Sequence, residues 1–172
     1  MRITLKSFLS LSLAWISMAV TAQIPVGDLI IRNGTVLTVT QGTLKETDIL
    51  VEKGKIKSIG KDLKAPLGYR EIDATGLFVM PGIIDAHSHI AIDAVNEGTN
   101  PITPEVKVGD AINPFDLSIY RALAGGVTTS HAMHGSANAI GGQCQTIKHR
   151  YGLTDPGAFP LEGAPRTIKF AL

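Results

Sequence analysis

The chain has 172 residues, a formal net charge of +1 and 44% hydrophobic residues, a composition that excludes disordered and fibrous classes. Removing Arg2 and Lys6 from the 16 basic residues leaves 14 against 15 acidic ones. Neither a basic face for nucleic acid nor an acidic tail for a basic partner is indicated.

Residues 1–22 read as a secretory signal. Arg2 and Lys6 form a positive start, Phe8 to Val20 an apolar core, and Val20-Thr21-Ala22 a small-residue cleavage site. The apolar run is shorter than the ~20 residues that span a bilayer, so cleavage rather than anchoring is expected. The predicted location is secreted or periplasmic, with no stable membrane span after cleavage. Cys144 is the single cysteine, which leaves no internal disulfide, and it reads as an inert, buried thiol.

Residues 23–77 hold short strands separated by turns. Leu29 to Arg32 leads to Asn33-Gly34, a strong hairpin signal, and Thr35 to Thr40 is predicted to return. Thr47 to Glu52 turns at Lys53-Gly54 into Lys55 to Ile59, and Tyr69 to Asp73 is a further extended piece. The region reads as a small antiparallel β module with one packed face, no charged or histidine cluster, and a structural role.

The fold is predicted to change character at Phe78. Leu77 to Met80 and the following Pro81-Gly82-Ile83-Ile84-Asp85-Ala86-His87-Ser88-His89 are nearly continuous in apolar character, as in a strand buried on both faces. Side chains alternate along a strand, so Asp85, His87 and His89 share a face. Two imidazoles on one face at a strand end suit a single metal ion better than a hydrogen-bonded core. Asp85 either orients a ligand histidine as an acceptor or binds backbone amides; the sequence does not choose.

Ala91 to Ala111 is loop-like, broken by Gly98, Pro101, Pro104 and Gly109. A helix follows, with Asn113 as predicted cap, Pro114 in the first position, Phe115, Ile119, Ala122 and Leu123 on one face, and Gly125-Gly126 as stop. Val127 to Ser130 is a second candidate buried strand, completing a βαβ unit. His131 and His134 are three apart, so at most one of them faces a metal cavity. Both are weak substrate-binding candidates, as are Asn138 and Gln143 in the glycine-rich stretch, with surface histidines the default. Nucleophile readings fail: Ser88 faces away from Asp85 and His87, no Gly-x-Ser-x-Gly elbow occurs, and no phosphate or dinucleotide loop is present.

These residues carry a family resemblance. The β module followed by Pro81-Gly82-Ile83-Ile84-Asp85-Ala86-His87-Ser88-His89 resembles the N-terminal part of the amidohydrolase superfamily, in particular its secreted branch near imidazolonepropionase and Xaa-Pro dipeptidase-like enzymes. Gly125-Gly126-Val127-Thr128-Thr129, Gly135-Ser136-Ala137-Asn138, Gly141-Gly142-Gln143 and Glu162-Gly163-Ala164-Pro165-Arg166 extend it. The resemblance implies an α/β fold, the start of a TIM-type (β/α)₈ barrel preceded by a small antiparallel β-sandwich module. It implies His87 and His89 as ligands of a divalent metal, zinc in one or two ions, and a small-molecule amide or peptide substrate. The general base is expected downstream of Leu172, so no catalytic residue is assigned within the chain.

Length bears on completeness. A (β/α)₈ barrel takes about 200–250 residues, whereas Phe78 to Leu172 supplies 95. Residues 78–172 are therefore expected to form the first βα units of an incomplete barrel. The chain is expected to be an N-terminal fragment of a hydrolase of amide, cyclic amide or dipeptide carbon–nitrogen bonds, inactive alone. The competing class is a non-catalytic secreted β/α binding or structural protein. Oligomeric state is not legible.

Overall fold

The computed structural model describes residues 28–171, which form two compact units divided in sequence between Val79 and Met80. The secretory signal read in residues 1–22 lies outside the described residues.

The first unit is one five-stranded sheet. Its strands are β1 (Leu29–Leu37), β2 (Thr43–Glu52), β3 (Lys55–Gly60), β4 (Arg70–Asp73) and β5 (Phe78–Val79). The order is β3-β2-β1-β4, with β5 also paired to β1. β2 is antiparallel to β1, but β4 and β5 run parallel to it along the opposite edge. The sheet is therefore mixed where an antiparallel module was expected. The connection after β3 carries the chain past two strands to the far side of β1, and β4 enters in the same direction as β1.

The Lys53-Gly54 turn forms as expected, with both residues at positive φ (52° and 73°) as a two-residue hairpin requires. Asn33-Gly34 does not turn the chain. It lies inside β1, where Asn33 has φ 55° and the register with β2 slips between Ile31 and Gly34. This is a bulge. A Cβ on Gly34 would stand 2.9 Å from Val79 Cγ2 and 3.2 Å from Ala74 Cβ, so the glycine admits close approach. The chain reverses instead at Thr38–Gly42, where the Thr38 amide donates to the Gly42 carbonyl at 3.0 Å.

The bulge organises a charged cluster that the sequence did not reveal. Asp48 is buried and accepts from the Asn33 amide (2.9 Å), the Leu63 amide (3.1 Å) and Arg32 Nη1 (3.0 Å). Arg32 also reaches Glu71 at 2.8 Å. Burial pushes the Asp48 carboxyl up, but the Asn33 amide, the Arg32 guanidinium and the Leu63 amide outweigh it and hold the group below the usual carboxylate range.

The second unit carries the βαβ arrangement. β6 (Ile83–Ser88) pairs in parallel with β7 (Val127–Ala132), and α1 (Leu117–Ala124) lies between them in sequence. β8 (Ile140–Gln143) pairs with β10 (Ile168–Phe170), and β9 (Gln145–Lys148) lies antiparallel on the other side of β7. Ala91, Ile92, Val108, Ile112, Ile119, Ala132, Ile147 and Phe159 form one apolar cluster.

Two expectations change here. The helix cap is Asp116 rather than Asn113, whose side chain instead accepts the Phe115 amide at 2.8 Å in the turn before the helix. The stop is as expected: the Gly125 amide donates to the Arg121 and Ala122 carbonyls and Gly126 takes φ 84°. β6 is not buried on both faces, since Ile84 is 66% and Ile83 47% exposed. In the order β6-β7-β9 it is an edge strand, paired on one side only among the described residues.

Candidate metal centre

Pro81-Gly82 delivers the chain onto β7. A Cβ at residue 82 would come within 2.2 Å of Thr128 Oγ1, so only glycine lets β6 approach this closely, and the Ile83 amide then donates to the Gly126 carbonyl at 2.9 Å. The strand ends at Ser88, and the two histidines lie at and just past its end.

The His87 and His89 rings are neighbours, with centroids 5.2 Å apart and planes at 79°. Both residues are exposed. His89 Nδ1 lies 2.8 Å from the Met133 carbonyl oxygen, which only accepts; Nδ1 therefore carries the proton and Nε2 presents its lone pair outward. A backbone carbonyl that fixes the tautomer in this way is the usual support of a metal-binding imidazole. Two imidazoles on one tetrahedral ion, with Zn–N of ~2.0–2.1 Å, have ring centroids roughly 5 Å apart. The observed spacing fits that requirement. Among the described residues no group of three or more histidine, cysteine or carboxylate side chains converges, so the pair supplies part of a ligand set.

Asp85 makes a backbone bond of the kind that the second of its two expected roles describes. Its Oδ1 accepts the His87 backbone amide at 3.1 Å. The carboxylate thus shapes the strand end through the main chain.

The four weaker candidates separate. His131 stands on β7 with Nδ1 2.9 Å from Thr146 Oγ1 and Nε2 2.9 Å from Thr167 Oγ1, bracketed by two hydroxyls. His134 is not a surface histidine: it is 2% exposed, its Nδ1 donates to the Gly135 carbonyl at 2.8 Å, and its Nε2 accepts the Glu97 amide at 2.7 Å. Asn138 is buried too, and its Nδ2 faces the Glu97 and Asn100 carbonyls and Thr103 Oγ1. Both hold the 95–103 loop in place. Gln143 Nε2 donates to the Pro104 carbonyl at 3.1 Å, and the residue lines a surface cavity.

Two positioning groups escaped the sequence reading. The Met133 carbonyl is one, and no sequence signal marks a backbone acceptor. Asp116 is the other. It accepts the Ser118 amide at 2.8 Å as helix cap and the Ala91 amide at 2.7 Å, tying α1 to the segment just after His89. Burial pushes its carboxyl up, but the Ser118 and Ala91 amides win and hold it below the usual range. An Asp directly before the helical residues was the available signal.

Comparison with known proteins places these features in context. No family model matches the chain. Over 120 residues, 63% of the chain, it is 37% identical to the amidohydrolase tasK of Hapsidospora irregularis, covering 12% of that protein. Over 63 residues, 37% of the chain, it is 49% identical to the dihydroorotase of Geobacter metallireducens, covering 15% of it. Among solved structures it is similar to an amidohydrolase from Thermotoga maritima, with a TM-score of 0.72 and 38% identity over 78% of this chain and 37% of that one. The chain thus spans well under half the length of each of these relatives.

Proposed function

The chain belongs to the amidohydrolase superfamily, matching the N-terminal part of its members, and from that premise we propose that it provides the first metal ligands of a hydrolase of carbon–nitrogen bonds. The bond is that of an amide, a cyclic amide or a dipeptide. The observation that carries the reading is the His87–His89 pair, with rings 5.2 Å apart and the His89 tautomer fixed by Met133.

In this reading β6 and β7 are the first strands of a (β/α)₈ barrel, and the opening βα units expected from residue 78 start at residue 80, because Phe78 and Val79 pair with β1 in the first sheet. His87 and His89 hold a divalent metal, zinc by the chemistry of an imidazole pair, and ligands outside these residues complete the set. When bound, the metal supplies Lewis acidity toward the scissile carbonyl and the attacking water. The chain's own contribution is placement: Gly82 seats the strand, Met133 sets the proton of His89 on Nδ1, and Asp85 and Asp116 fix the backbone on either side of the pair. The general base lies outside these residues, and the 172-residue chain alone binds metal weakly and does not turn over. Export by residues 1–22 to a secreted or periplasmic location belongs to the same reading.

Zinc titration of the full 172-residue chain followed by imidazole NMR tests it. The His87 and His89 resonances are expected to shift together, and His89→Ala is expected to remove the response of both. Zinc binding that leaves both rings untouched would overturn the assignment, and hydrolysis of a hydantoin, a dihydropyrimidine or a dipeptide by this chain alone would overturn its inactivity.

A further inference from the structure

A second site stands apart from the histidine pair. Within the second unit a cavity of about 530 Å³ opens between the 106–110 segment, the junction of β8 and β9, and the residues entering β10. That volume lies in the range of small-molecule sites, ~300–1,000 Å³.

Its walls are fixed by main chain. The Gln143 amide donates to the Val106 carbonyl at 2.7 Å, and the Cys144 amide donates to the Thr167 carbonyl at 3.0 Å. Glycines bring the walls together: a Cβ at Gly142 would lie 2.7 Å from the Val106 carbonyl oxygen, and one at Gly109 would lie 3.2 Å from Gln145 Oε1.

The charges on those walls select the ligand. Lys107 and Arg166 line the cavity with one acid, Asp110, and neither cation is in an ion pair among the described residues. Two cations against one anion leave the lining at +1, in a chain whose charges otherwise nearly cancel. A monoanion matches that balance, whereas a dianion would meet Asp110. The planar guanidinium presents paired donors in the geometry of a carboxylate.

We propose that this cavity binds a small monoanionic carboxylate, with Arg166 and Lys107 taking the carboxylate. Next to the cavity, Thr167 bonds His131, and on β10 Lys169 Nζ lies 3.8 Å from Sδ of Met133, the residue whose carbonyl holds His89.

Cys144, read from the sequence as a buried thiol, is instead half-buried and lines the same cavity; as the single thiol of the chain, its alkylation by iodoacetamide reports occupancy without metal or turnover. The full 172-residue chain is titrated at fixed ionic strength with N-acetylglycine, its neutral amide N-acetylglycinamide, or inorganic phosphate. N-acetylglycine is expected to protect Cys144 saturably, with half-protection at about 1 mM for so small a ligand. The neutral amide is expected to give no protection. Arg166→Gln and Lys107→Gln are each expected to weaken protection about tenfold, the effect of losing one charge-assisted hydrogen bond. Circular dichroism of each variant checks the fold, and Arg166→Lys, which keeps the charge but loses the fork, is expected to fall between. Equal protection by the neutral amide or by phosphate, or full protection of the Arg166→Gln/Lys107→Gln double variant, would overturn the proposal. Loss of zinc binding at His87 and His89 would leave it standing, so the two readings fail separately.

Discussion

Asp116 accepts the backbone N–H of Ala91 at 2.7 Å, joining the cap of α1 to the second residue after His89. Ala91 has φ 61°, fully buried, in a region that costs an L-residue roughly 1–2 kcal/mol. The chain holds this conformation because both of its polar groups are engaged, the amide with Asp116 and the carbonyl with the Asn113 amide at 2.9 Å. Ala91→Val is expected to destabilise the unit by more than ~2 kcal/mol, because a branched Cβ worsens the left-handed backbone and has no room in the core. Urea denaturation measures it. Ala91→Gly, which relieves the backbone but loses one methyl, is expected within about 1 kcal/mol of wild type.

Asp116→Ala removes the helix cap and the Ala91 tie together. The cap alone is worth about 1 kcal/mol, and the abandoned Ala91 amide adds a desolvation cost of similar size, for an expected loss of about 2 kcal/mol. The pH dependence has a definite sign. The carboxyl is held below its unfolded value, so its contribution is complete above the ordinary carboxylate range, near ~4, and is lost as pH falls through the folded value. The stability gap between wild type and Asp116→Ala is therefore expected to be constant above pH 5 and to narrow at pH 2–3 by roughly the charge-dependent part.

Asp48→Ala is expected to be the most damaging single change in the first sheet. It strands the Asn33 and Leu63 amides and leaves Arg32 with only Glu71 and the Leu63 carbonyl, for a loss of about 2–4 kcal/mol. Asp48→Asn, which keeps acceptor oxygen without charge, is expected to retain part of that stability. Because the folded carboxyl is held low, the wild-type advantage over Asp48→Asn is expected at neutral pH and is lost as pH falls below the carboxylate range. Thermal melts of both proteins between pH 7 and pH 3 check the convergence.

What the sequence revealed follows from the range of the forces involved. The Lys53-Gly54 turn and the Gly125-Gly126 stop were legible because both depend on local backbone conformation. Asn33-Gly34 carries the same local signal, positive φ, yet forms a bulge; Val79 and Ala74, some 40 residues on, decide that, and no local pattern encodes them. The His87–His89 pairing was legible through the period of a strand. Its support was not, because the Met133 carbonyl is a backbone group that any residue would supply. The burial of His134 was equally hidden, since it depends on a loop folding back from residues 95–103.

That loop gives a further prediction. His134 fills a buried position and Nε2 is the acceptor for the Glu97 amide. His134→Phe keeps the ring but abandons that amide, for an expected loss of about 1–3 kcal/mol, with faster hydrogen exchange at Glu97 as the local signature. Gly141→Ala attacks the same ring from the other side, since a Cβ would lie 2.5 Å from His134 Nδ1. Overpacking of this kind costs about 1–3 kcal/mol. The two changes act through one contact, so their combined cost is expected to fall short of the sum, as a double-mutant cycle measures.

The last prediction concerns His89 before any metal is added. A proton on Nδ1 held by Met133 makes the Nδ1–H form the dominant neutral tautomer, readable from the two ring-nitrogen shifts in long-range ¹⁵N correlation spectra of the full chain. An Nε2–H majority would remove the basis for Nε2 as ligand. With zinc, the largest change is expected at Nε2 of His89, accompanied by His87. Complete four-ligand zinc sites reach apparent binding energies of ~10–16 kcal/mol. Two imidazoles supply half such a set, so the expected dissociation constant lies between roughly 1 μM and 1 mM. Asp85→Asn is expected to leave it within about threefold, because this carboxylate serves the His87 backbone amide, where an amide oxygen can substitute at a cost of under 1 kcal/mol. A tenfold loss in that variant would instead show that the Asp85 charge acts on the histidine pair, as in the other role the sequence left open, the orienting of a ligand histidine.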